Sequence, residues 1–166
     1  KLRLGGLLIT YTGMKDFDQT IMKLSKNLQW WHLFCQPCPH RNAPYFGRRI
    51  WRCWQPIVAY FKPPPPGHSR WMMDQLPAPG TAEKDWHPWQ QAITPFRYLV
   101  SRLTEPGDLV VDPFLGSGTT AVACRELGRQ CIGTEIDPDV AARARQRLAM
   151  CPTLWEMPVA KQLELA

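Results

Sequence analysis

Apolar and polar positions along this chain follow two rhythms. Residues 7–11, 29–34 and 57–61 are short apolar runs of the kind that form strands. Between the first two, Phe17, Ile21, Leu24 and Leu28 recur at helical spacing, which predicts a helix over residues 16–28 with Asp16 as its N-cap. Residues 89–103 read as a helix that Pro95 must either kink or mark as its true first turn. From there the pattern becomes strand, helix, strand, helix. Residues 109–111 suit a strand buried on both faces, and Asp112-Pro113 ends it because proline cannot donate to a ladder. Residues 120–127 form the next helix, stopped by Gly128, and residues 130–134 the next strand. A basic helix over residues 137–150 follows, with Pro138 pre-organised for its first turn. Residues 36–54 read as a long loop, and residues 63–84 as a Pro/Gly-rich linker or recognition loop. No internal repeat is visible.

The chemistry concentrates in residues 108–137. Gly116-Ser117-Gly118-Thr119 bends the backbone between strand and helix, and the second strand delivers Glu135 to its carboxyl end. Ligands of open α/β sheets bind just outside the carboxyl ends of the strands. A carboxylate there can accept hydrogen bonds from two ribose hydroxyls, while glycines let the backbone approach closely. A nucleoside-cofactor site follows. The dinucleotide pattern G-x-G-x-x-G is absent, and Asp112 would repel a pyrophosphate. Asp112 could instead pair with an α-ammonium, and Phe114 offers an apolar wall. That combination suits S-adenosylmethionine, which carries an ammonium, a sulfonium and a ribose but no phosphate.

Asp112-Pro113-Phe114-x-Gly116-Ser117-Gly118-Thr119-Thr120, followed by Glu135-Ile136-Asp137, resembles the cofactor-binding core of bacterial and phage DNA methyltransferases that modify the exocyclic amino group of adenine or cytosine. His87-Pro88-Trp89-Gln90-Gln91 is similar to the H-P-x-Q-K-P segment of members with permuted motif order, with Gln91-Ala92 standing where the family has Lys-Pro. Residues 106–112 match the usual run-in, so the resemblance is specific over residues 87–148. It implies a Rossmann-like α/β fold with a mostly parallel sheet, helices on both faces, and part of the sheet missing from this chain. It implies cofactor contacts from Asp112, Pro113, Phe114, Gly116, Ser117, Gly118, Thr119 and Glu135, with His87 and Gln90 assisting. Double-stranded DNA is the implied partner, the bacterial or phage-infected cytoplasm the implied location, and a homodimer one arrangement it allows.

The family's catalytic tetrapeptide, D/N/S-P-P-Y/F, polarises the target amino group and stacks on the extruded base. It is not in these residues. In permuted members it precedes the segment that residues 2–9 resemble, so the catalytic residues are expected upstream of Lys1 and this piece is expected to be inactive alone. Asn42-Ala43-Pro44-Tyr45-Phe46 imitates the tetrapeptide, but it has alanine for the first proline and lies downstream of that segment; a surface or DNA-facing role fits it better. Two other classes stay open: a scaffold that kept the fold and lost catalysis, as Gln91-Ala92 would allow, and, with less support, a methyltransferase acting on RNA or protein.

Charge sharpens the partner. Residues 1–73 carry eleven Lys/Arg against two Asp/Glu, net +9, while residues 74–166 carry nine against twelve, net −3; together they give the chain's +6. A basic half suits phosphate contact. Within it Arg41, Arg48, Arg49, Arg52, Lys62 and Arg70 interleave with Tyr45, Phe46, Trp51, Trp54 and Trp71. Such aromatics stack on an unpaired base or wedge a duplex; alternatively the tryptophans fill a core and the arginines face water. The first four arginines are the candidate DNA contacts. Arg143, Arg145 and Arg147 are expected as a solvated helix face.

The remaining signals exclude more than they add. A length of 166 residues allows one domain with a real core. No apolar run nears the roughly 18 residues that span a bilayer, so no membrane partner is expected. The six cysteines lack a disulfide-scaffold spacing. Cys35-x-x-Cys38, with His32, His40 or Cys53 nearby, is half of a zinc knuckle; without a second pair, inert thiols and no metal are expected. Organisation along the chain is then a sheet portion over residues 1–62 with a basic insertion at 36–54, the linker at 63–84, a cofactor-binding half over 85–150, and a tail over 151–166.

Overall fold

The computed structural model describes residues 2–38, 43–45, 49–67, 70–80 and 90–157. The chain divides into two units, Lys1–Ala78 and Pro79–Ala166.

In the first unit, β1 (Leu7–Tyr11) leads into α1 (Phe17–Leu24), followed by β2 (Gln29–Pro37), the short pair β3 (Ala43–Tyr45) and β4 (Ile50–Arg52), and β5 (Trp54–Phe61). The sheet order is β1-β5-β2, and both pairings are antiparallel, with Leu7 opposite Phe61 and Gln29 opposite Phe61. As the central strand, β5 is covered on both faces, and Ile57, Val58, Ala59 and Tyr60 are fully buried. The Tyr60 hydroxyl reaches Ser25 Oγ (3.1 Å) and donates to the Ile21 carbonyl (3.3 Å), which pins the end of α1 to the sheet.

Three sequence expectations change here. Asp16 precedes α1 but makes no side-chain cap, and the helix ends at Leu24 because residues 25–28 turn toward β2. The expected loop over residues 36–54 instead extends β2, forms the β3–β4 hairpin and starts β5. The first unit's sheet is antiparallel, so parallel pairing between strands is confined, among the described residues, to the second unit, and the first has only an isolated parallel bridge between Cys35 and Gln75.

The second unit is a β-α-β unit with flanking helices: α2 (Ile93–Leu103), β6 (Leu109–Asp112), α3 (Thr119–Glu126), β7 (Gln130–Gly133) and α4 (Pro138–Met150). Pro95 lies in the first turn of α2, where its missing N–H leaves no helical bond unmade. β6 and β7 pair in parallel with Leu109 opposite Gln130. Val100, Ala123, Cys124 and Leu127 form the buried cluster, with Ile93, Phe96, Val110 and Cys131 packed around it. Arg97 spans α2 and α3 with two 2.6 Å hydrogen bonds to the Glu126 carboxylate. Arg129 joins the ends of the same helices by donating to the carbonyls of Thr104 (2.6 Å) and Leu127 (2.5 Å).

β6 is not buried on both faces as its composition suggested. Strand side chains alternate, so Val110 and Cys131 face the cluster while Leu109, Val111 and Ile132 stay 53%, 62% and 56% exposed. A two-stranded pair with a helical layer on one side leaves its other side bare.

Candidate cofactor site

The site grows from the ends of β6 and β7. Thr134 N–H donates to the Asp112 carbonyl (3.0 Å), and Leu115 N–H donates to the Thr134 carbonyl (2.9 Å), so the glycine turn is stitched to the strand beside it. The turn needs left-handed backbone at Gly116 (φ 54°) and Gly118 (φ 80°), which glycine adopts without a Cβ clash. Gly118 has a second reason to be glycine: a Cβ there would lie 3.3 Å from the Ala144 Cβ, so its absence lets α4 close on the turn.

Two carboxylates then converge on the turn. Asp112 accepts from Phe114 N–H (3.0 Å) on one oxygen and from the Thr120 hydroxyl (2.6 Å) on the other. Glu135 accepts from Gly116 N–H (2.8 Å) on Oε2 and from Asp137 N–H (3.1 Å) on Oε1. The Asp137 and Gly116 amides, in that order, hold the Glu135 carboxyl below the usual glutamate range. A carboxylate oxygen has two lone pairs, so both carboxylates keep acceptor capacity beyond their bonds to the chain, Glu135 after a further backbone bond from Ile136. Beside them Phe114 is 87% and Ile136 99% exposed, two apolar side chains without a core to enter. A cleft of about 380 Å³ adjoins Glu135, lined in part by Leu115, Thr134, Ala141, Arg145 and Leu148.

The structure thus brings Asp112, Phe114, Gly116, Gly118 and Glu135 together, with Pro113 exposed in the same turn. Ser117 and Thr119 are buried, and Arg147 Nη1 donates to the Ser117 carbonyl (3.0 Å) and the Thr119 hydroxyl (3.2 Å). Arg147 therefore leaves the solvated face on which it was expected; Arg143 and Arg145 remain exposed. Gln90 is buried, and the carbonyl of its neighbour Gln91 accepts from Thr119 (3.5 Å). His87 lies outside the described residues, as do Arg41 and Arg48.

Sequence reasoning gave no separate role to Ile136 or to Asp137, whose Oδ1 caps α4 by accepting from Asp139 N–H (2.9 Å) and Val140 N–H (3.2 Å). The Asp137-Pro138 pair carried the capping signal, since an aspartate before a first-turn proline is a common helix start.

In the first unit, Arg49 is exposed with a left-handed φ of 53°, and Arg52 lies on β4 beside exposed Ile50 and Trp51. Cys38 N–H donates to the Cys53 carbonyl (2.8 Å), so the cysteine segment is tied together by backbone, and burial raises the Cys35 thiol above its usual pKa. Among the described residues no group of three His, Cys, Asp or Glu could hold a metal ion, and no helix is long and apolar enough to cross a membrane.

Residues 44–146 match the model of a family described as DNA methylase. Over 52 residues, 31% of this chain, the sequence is 46% identical to the type II methyltransferase M.SmaI of Serratia marcescens, 18% of which is covered. It is 40% identical over 63 residues, 38% of the chain, to the putative methylase YubD of Escherichia coli K12, covering 28% of that protein. These matches span under a third of either relative. By fold, the chain superposes on the cytosine-N4-specific PvuII DNA methyltransferase with a TM-score of 0.75 at 18% identity, over 99% of this chain and 70% of that one. The M1.HpyAVI–SAM complex gives 0.72 at 24% identity, over 89% of this chain and 76% of that one. The likeness shows a Rossmann-like α/β fold.

Proposed function

The chain belongs to the DNA methylase family, and on that premise we propose that it is the cofactor-binding part of an enzyme that methylates the exocyclic amino group of adenine or cytosine in DNA, with S-adenosylmethionine as the methyl donor. The observation that carries this reading is the pair of carboxylates, Asp112 and Glu135, at adjacent carboxyl ends of two parallel strands, flanking a glycine turn and the exposed Phe114 and Ile136.

The donor set fits the molecule. Glu135 can accept from two vicinal ribose hydroxyls while keeping its bonds to Gly116 and Asp137. Asp112 can take an α-ammonium while holding Phe114 and Thr120. Phe114 and Ile136 supply apolar surface for a purine ring. When bound, the cofactor supplies the sulfonium methyl that passes to the amino nitrogen. The groups that polarise that nitrogen are those of the family's D/N/S-P-P-Y/F tetrapeptide, which does not occur in these residues. Double-stranded DNA is the substrate of this reading. The β3–β4 hairpin, with Arg49, Arg52 and exposed Trp51, is its duplex-facing element, supported by the +9 net charge of residues 1–73. The cytoplasm, where DNA and the cofactor meet, is its location.

Calorimetric titration with S-adenosylmethionine tests the cofactor assignment. Saturable binding is expected, weakened on the order of tenfold by Glu135→Gln, which keeps the shape but loses charge-assisted acceptance. Affinity unchanged by that substitution would refute the ribose role.

A further inference from the structure

The edge of the first unit's sheet carries a second constellation. β2 is the outer strand, and its ladder to β5 slips between Trp30 and His32. A bulge re-aims side chains, and here the rings of both Trp31 and His32 come against Phe34, with centroids 5.9 and 5.1 Å from it. Residues 70–76 run along the same edge. Cys35 N–H donates to the Asp74 carbonyl and Leu76 N–H to the Cys35 carbonyl, both at 2.8 Å, and Leu76 is buried as the anchor. Between strand and segment lies a cleft of about 420 Å³ lined by Trp31, His32, Phe34, Arg70, Trp71 and Asp74, among others. His32 Nε2 stands 3.9 Å from an Asp74 oxygen. Trp71 is 95% exposed.

These walls select a ligand. Flat aromatic rings favour a planar partner, and a guanidinium adds stacking and cation–π attraction. The carboxylate of Asp74 excludes a phosphate from the interior but can accept from an exocyclic amino group. The net charge of +9 over residues 1–73 favours a polyanion as the carrier of such a group. A planar, amino-bearing group carried on a polyanion meets all of these conditions. We propose that this cleft takes an unpaired nucleobase of a DNA strand, with Trp71 stacking on its face and Asp74 at its hydrogen-bonding edge. The proposal rests on the reading above that the chain contacts DNA, but it involves none of the residues assigned to the cofactor.

The test is anisotropy titration of the full chain with a short labelled oligo-dC and with the same backbone made abasic. Trp71→Ala is expected to weaken the base-bearing strand about tenfold, the scale of one lost stacking contact, and to leave the abasic strand unchanged. Trp71→Phe is expected to restore most of the loss. Because Trp71 is so exposed, the alanine variant removes little buried surface and keeps the fold. Equal losses on both strands would show a role in phosphate attraction alone and overturn the proposal, as would no loss on either. Wild-type chain that binds neither strand overturns it too, while calorimetry with S-adenosylmethionine reports separately on the cofactor reading.

Discussion

The Arg97–Glu126 pair holds α2 against α3, the helix that begins where the glycine turn ends, so its strength bears on the site as well as on stability. Both hydrogen bonds measure 2.6 Å, and the side chains are 27% and 7% exposed. Removing one partner of a buried ion pair costs about 3–5 kcal/mol, because the other charge is left uncompensated. Arg97 is exposed enough for water to take up part of that penalty, so Glu126→Leu is expected to cost about 2 kcal/mol. Arg97→Met strands a carboxylate that water barely reaches and is expected to cost about 3 kcal/mol. Replacing both, as Arg97→Met with Glu126→Leu, removes both desolvation costs and is expected to cost about 1 kcal/mol or less, a coupling near 4 kcal/mol. Urea unfolding followed by circular dichroism reads all four corners of the cycle, and each kcal/mol corresponds to a melting shift of roughly 2–4 °C in a chain of 166 residues. Single variants that each cost under about 0.5 kcal/mol, or a double variant as costly as the two singles together, would refute the assignment of a buried, mutually dependent pair.

Gly118→Ala combines a left-handed φ of 80° with a Cβ 3.3 Å from Ala144. A loss of about 2 kcal/mol is expected from backbone strain and displacement of α4, together with weaker S-adenosylmethionine binding; a melting temperature equal to wild type would contradict it. The pH dependence of cofactor affinity follows from Glu135, whose folded pKa lies below its ordinary value of 4.5. A depressed carboxylate contributes above its unfolded pKa and is lost only as pH falls through the folded one. Affinity is therefore expected to stay flat from neutral pH down to 4.5 and to fall below it; a midpoint above 4.5 in calorimetry would remove Glu135 from the binding step.

From β6 to α4 the second unit was legible to within one residue because its punctuation is local, whereas α2 begins at Ile93, four residues later than expected. Gly128 stops α3, Asp137-Pro138 starts α4, and Pro95 falls where a first helical turn tolerates it. The convergence of Asp112 and Glu135 on the glycine turn was legible for the same reason, since Asp112 ends β6 and Glu135 lies two residues past β7. The β3–β4 hairpin was not, since Ala43–Tyr45 and Ile50–Arg52 are three-residue strands, too short for alternation to register. Arg143, Arg145 and Arg147 look alike in sequence. Which of them turns inward depends on how closely α4 approaches Gly118, and tertiary packing decides that. Leu109 and Val111 show the opposite limit: an apolar run records what can be buried, but not what covers it.

That bare strand surface also governs how the chain behaves in solution. Leu109, Val111 and Ile132 form one exposed apolar patch, and β6 and β7, each paired only with the other among the described residues, offer their outer backbone groups as templates for further strands. Such a surface is adhesive. Self-association that grows with concentration and with salt is expected of it in light scattering, since salt screens the repulsion of a +6 chain while leaving the attraction between apolar faces intact.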